Sequence, residues 1–197
     1  MKARNLPFAQ FNTNMKIQEL PDTKKLYLFE LDDVLYPKQD FLLQVYYLFA
    51  QFIEFTEARP VAAEMVAFMK DTLLAEGEDA VYEATVKKFA LKADYRENFE
   101  RLQANGHLPL KLFLFENVQT LFKKLNEQGA QIAVLTAGNP ALQLNKLRHI
   151  DWMGYDKKLK VYFTDELRFR NIDPFTYIAS EHTVSADDIY YIQSKLI

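Results

Sequence analysis

Cysteine is absent from the 197 residues. Its absence removes a thiol nucleophile, a cysteine-based zinc site and a disulfide framework. It also fits a reducing compartment. Glycine is scarce, with 5 residues against about 7% in an average chain. No GxGxxG and no GxxxxGK(S/T) occurs, so neither a dinucleotide fingerprint nor a Walker-type phosphate loop is supported. No run of ~18 uncharged apolar residues is present. The most apolar stretch, 41–55, is broken by Gln44, Gln51 and Glu54, as in a buried or half-buried helix. The first 25 residues lack the apolar core of a signal peptide. The expectation is a soluble, cytoplasmic protein with no membrane partner. The formal net charge is -3 and no long basic run stands out, which argues against nucleic acid as a partner. His107, His149 and His182 show no metal-ligand spacing such as HExxH.

What is present is an ordinary globular balance, 49% hydrophobic and 26% charged residues. A chain of this length buries roughly 70% of its unfolded surface, so it needs neither disulfides nor a structural metal to fold. Residues 25–29 form a short apolar run, as in a parallel strand covered on both faces. From 40 to 108 the periodicity is helical throughout. Helices are predicted over 41–58, 60–75, 78–91 and 94–104, with Pro60 in a first turn and Gly77 as a stop. After Pro109 strands and helices alternate. A helix is predicted over 116–128 with Val118, Leu121, Phe122 and Leu125 at core spacing. A strand follows over 131–135, a turn over 136–139 and a helix over 140–149. The last elements are a strand over 160–163, a helix over 174–180 and a strand over 189–192. Alternation of this kind predicts an α/β fold, a doubly wound parallel sheet with helices on both faces. Its divisions are an N-terminal extension 1–24, a core of 25–39 with 109–197, and an inserted helical cap 40–108. Ligands of such sheets sit outside the carboxyl ends of the strands. That singles out residues 30–33, 136–139, 164–170 and 193 onward.

The segment YLFELDDVLYP carries the most specific signal. It resembles the first motif of the haloacid-dehalogenase-like (HAD) hydrolases, an apolar strand followed by Asp-x-Asp-x-(Thr or Val). The resemblance covers nearly all of the chain from Lys25 onward, and implies a phosphatase-type member with a helical cap after the first motif. In that family the first acid attacks phosphorus and the second serves as general acid and base. Mg²⁺ is held by the first carboxylate and the backbone carbonyl of the second acid. The resemblance puts Glu30 at the nucleophile position and Asp32 at the acid/base position, and makes both candidates for a weak metal site. Glu30 keeps the charge but adds a methylene, and attack loses ~10²-fold for a 1 Å misplacement. Asp33 reads as a local cap.

The second family motif ends a strand in Thr or Ser. IAVLTAGN matches it, with Thr136 and the amides of Ala137 and Gly138 as phosphate-binding groups. The third motif supplies a Lys before a helix. In RFRNIDPFTY that position is Asn171, and Arg168 and Arg170 stand nearby out of register. The fourth supplies a metal-binding acid after a strand, and Gln193 and Ser194 stand where Gly and Asp are expected. With three of these positions replaced, the resemblance implies a phosphoester-hydrolase-like protein of weak or no activity. Its partner is a small phosphorylated molecule or an unknown protein, and its cofactor is Mg²⁺ if it is active and none otherwise. Two alternatives stand beside this one: a working phosphatase with an unusual site, and a non-enzymatic interaction module.

Overall fold

In a computed structural model of the chain, residues 21, 23–92 and 94–193 are described. Most of the expected N-terminal extension and Ser194 lie outside them. The first strand, β1 (Leu26–Phe29), is buried along its whole length. Leu26 and Leu28 join one apolar cluster, while Tyr27 and Phe29 join the other. The run is continuously apolar because each face of the pleat meets its own core.

Helices α1 (Lys38–Glu57), α2 (Ala62–Glu76), α3 (Glu78–Phe89) and α4 (Tyr95–Asn105) follow in succession. The first begins three residues earlier than its periodicity suggests, because Asp33 Oδ1 accepts from Lys38 N at 2.9 Å. The second begins two residues later than predicted, where Glu54 Oε2 of α1 accepts from Ala62 N at 2.8 Å. Rings lock the helices together. Phe99 stands edge-on to Phe49 with centroids 5.1 Å apart and 5.2 Å from Tyr82. The apolar cluster that holds these rings continues through Tyr36 to Phe29 of β1, so the helical insert and the sheet share one core.

The chain then forms β2 (Leu112–Phe113), α5 (Glu116–Glu127), β3 (Gln131–Thr136), α6 (Pro140–His149), β4 (Ile150–Asp151), β5 (Lys160–Phe163), α7 (Thr164–Phe169), α8 (Pro174–His182) and β6 (Ile189–Ile192). The main sheet runs β5-β3-β1-β6, with every pairing parallel. In register, Phe29 faces Val134 on one side and Ile192 on the other. The α/β class and the parallel sheet are as predicted. Three elements were not. The short β2 and β4 pair in parallel, and residues 164–169 are helix rather than open strand-end loop. Among the described residues no helix is long and apolar enough to cross a membrane.

Candidate functional site

Glu30 and Asp32 lie just beyond the carboxyl end of β1. Glu30 continues the ladder, its amide donating to Ile192 O at 2.8 Å. A tight turn follows, in which Asp33 takes φ 56° and its amide donates to Tyr36 O at 3.0 Å. The turn folds Tyr36 back over Asp32, and the Tyr36 hydroxyl donates to Asp32 Oδ1 at 2.9 Å. The other oxygen, Oδ2, meets Lys146 Nζ at 2.6 Å. Lys146 is 2% exposed and the Asp32 side chain 21%. The ammonium also lies 5.2 Å from the centre of the Phe41 ring, a favourable face for a cation.

Burial pulls the Lys146 ammonium below the ordinary lysine range, and the Asp32 carboxylate opposes that pull. Burial, then the neighbouring Asp32 charge, pushes the Tyr36 phenol well above its usual value. Both groups face Asp32 at donor distance. Desolvation likewise raises the Asp33 carboxyl, against the hydrogen bond from Lys38 N. Asp33 is a helix cap, as its position in the turn suggested.

Lys146 was not singled out by motif. It sits on α6, and its sequence signal is faint: a lysine three residues from Gln143 and from His149, both of which are also buried. Arg168 and Arg170, out of register in the sequence, do not supply a cation to Asp32; Lys146 of this helix does. Both arginines are exposed, and Arg170 pairs loosely with Glu166 at 3.9 Å. Asn171 has φ 55°, left-handed backbone that Asn tolerates better than Lys. The local chain geometry suits the residue found there.

Thr136 ends β3 and is 2% exposed. The turn after it is held from within the chain. Gly138 takes φ 95°, and its amide donates to Asp165 Oδ2 at 2.9 Å. The Ala137 carbonyl accepts from Gln143 Nε2 at 2.5 Å. The expected anion donor at Gly138 is thus already engaged by a carboxylate. Asn139 caps α6, accepting from Ala141 N at 2.9 Å. Beside this turn lies an open cleft of about 640 Å³, lined by Ala137, Thr164, Arg168, Asn171, Asp173 and Gln193 among others. Of the positions that the resemblance singles out, Ala137 and Asn171 border it. Glu30, Asp32 and Thr136 do not line it.

The magnesium that the family motif implies would be held by the Glu30 carboxylate and the backbone carbonyl of Asp32. The Asp32 side chain is engaged elsewhere, by Tyr36 and Lys146. Among the described residues no group of three or more His, Cys, Asp or Glu converges as a metal site.

No family model matches the sequence, and no curated protein matches it. Solved structures do. The chain has the fold of the haloacid-dehalogenase-like hydrolases. It is similar to the HAD-hydrolase YfnB from Bacillus subtilis, solved bound to magnesium, at 16% identity and a TM-score of 0.51, covering 87% of this chain and 80% of that one. It also matches a HAD family hydrolase from Deinococcus radiodurans solved with phosphate and sodium, at 14% identity and TM-score 0.47, over 87% and 72% of the two chains. A haloacid-dehalogenase-like hydrolase from Xanthomonas campestris matches at 14% identity and TM-score 0.46, over 87% and 73%. The likeness to YfnB shows the fold alone; the chemistry has to be argued from the site.

Proposed function

We propose that this protein is a catalytically silent relative of the phosphoester hydrolases, which holds a small phosphorylated molecule in the cleft beside Ala137 and Asn171 without cleaving it. The observation that carries this reading is the double engagement of Asp32. A general acid must hold a proton it can release, and a general base must present a free lone pair. Asp32 Oδ2 faces an ammonium and Oδ1 faces a phenol whose pKa is raised. A leaving group would have to compete with a donor already seated on each oxygen. Glu30 at the attacking position and Asn171 at the lysine position point the same way.

The test is hydrolysis of p-nitrophenyl phosphate with saturating Mg²⁺, with Asp32→Asn run beside the parent. No turnover in either protein is the expected result. Turnover in the parent that disappears in Asp32→Asn would refute the silent reading. One observation favours a second reading, a module that binds another protein. Phe55 is 89% exposed on α1 and Leu74 51% exposed on α2. Isolated exposed side chains are ordinary on a surface, so this reading stands second.

A further inference from the structure

Where the helical insert returns to the sheet, the chain from Asn105 to Lys111 and the last turns of α6 line an open pocket of about 380 Å³. His107, Lys111, Asn145, Arg148 and His149 contribute its polar side chains, and no carboxylate lines it. Lys111 and Arg148 are exposed, and neither forms an ion pair among the described residues. His107 stands over His149 with ring centres 5.3 Å apart.

The wall of the cavity is fixed rather than loose. Asn145 Nδ2 donates to Gln103 O at 2.9 Å and to Gly106 O at 3.0 Å. His149 Nε2 accepts from Leu108 N at 3.1 Å, and Nδ1 meets Asn145 O at 2.8 Å. Those partners require the proton on Nδ1 and the lone pair on Nε2. Asn145 and His149 are therefore spent on holding the linker. Arg148, Lys111 and His107 remain, three donors around one hollow with no acid to neutralise them. Arginine presents its donors as a fork suited to phosphate, and lysine adds a point charge.

We propose that this hinge cavity is a second anion site, which takes a phosphoryl group, free or at the end of a small molecule, on Arg148, Lys111 and His107. The site is separate from the cleft beside Asn171 and shares no lining residue with it. An anion bound there bridges the linker of the insert to α6, the helix that carries Lys146. It therefore ties the return segment down to the helix that clamps Asp32.

Calorimetric titration with pyrophosphate at constant ionic strength tests this, with inorganic phosphate and sulfate as further arms. Pyrophosphate and phosphate are expected to bind saturably, and sulfate more weakly. Arg148→Gln and Lys111→Gln are each expected to weaken binding about tenfold, the scale of one charged hydrogen bond. Arg168→Gln, in the other cleft, is expected to leave this binding unchanged. Thermal unfolding followed by the single Trp152 confirms that each variant is folded. Absence of saturable binding in the parent would overturn the proposal. So would binding that Arg168→Gln abolishes and the Arg148 and Lys111 variants keep, or sulfate binding as tightly as phosphate and pyrophosphate. None of these outcomes decides whether Asp32 is catalytically silent, which rests on turnover alone.

Discussion

The amide of Gly138 donates to the carboxylate of Asp165 at 2.9 Å across 27 residues of sequence. The resemblance implies an amide at this turn for a phosphoryl oxygen; a carboxylate of the chain takes that donor. Asp165 lies in the first turn of α7, and so pins the turn after β3 to the helix after β5. Asp165→Ala is expected to free the amide. Phosphate affinity in the cleft beside Ala137, measured by calorimetry in the Arg148→Gln background, should rise about tenfold, the scale of one charged hydrogen bond. An unchanged affinity would mean that the turn collapses without its carboxylate.

Lys146 and Asp32 should be energetically coupled. Removing one partner of a buried pair costs ~3–5 kcal/mol, and the partial exposure of Asp32 lowers that here to about 2–3 kcal/mol. Lys146→Met is expected to lose that much in urea unfolding. In the double variant Lys146→Met/Asp32→Asn most of the loss should return, because no unpaired charge is left behind. A loss that Asp32→Asn fails to restore would assign Lys146 a packing role instead.

Stability at high pH should be limited by buried phenols. Burial, followed by the Glu181 charge, pushes Tyr162 up to about 12. Burial and the Glu30 charge do the same for Tyr191, also to about 12. Both pKa values are raised on folding from 10.0, so the unfolded chain ionises first. The stabilisation is whole below about pH 10 and is lost as pH rises through about 12. The urea midpoint should therefore fall across that window. Tyr162→Phe should make the fall shallower. Because the Tyr162 hydroxyl is buried without a hydrogen-bond partner, the same variant should be neutral or up to about 1 kcal/mol more stable at pH 7.

His149 joins the linker to α6 through a single backbone amide. His149→Ala would leave Leu108 N–H buried and unpaired, at a cost of about 1–3 kcal/mol. Trp152, the only tryptophan, donates to Leu147 O at 2.9 Å close by, so its fluorescence reads the unfolding directly. A variant as stable as the parent would show that water takes over the amide.

Local pattern was enough wherever one element carries its own signal. The helix over 140–149 and the strands over 160–163 and 189–192 match their predicted bounds, because Pro140 after an Asn cap and short runs between turns are local features. Helix α7 was missed for the opposite reason. Six residues span less than two turns, too few for a periodicity, and the helix forms against the sheet. The β2–β4 pair escaped because two-residue strands have no pattern of their own.

The sequence alone determined the class of fold and the bounds of its longer elements, which follow from neighbours in the chain, and its resemblance singled out Glu30, Asp32, Thr136, Gly138 and Asn171 as candidates. Only the tertiary structure decided what Asp32 and Gly138 meet. Lys146 reaches Asp32 across 114 residues, and Asp165 reaches Gly138 across 27. Hydrogen bonds and ion pairs act over about 3 Å, so no reading of local periodicity registers partners that meet only when the chain has folded.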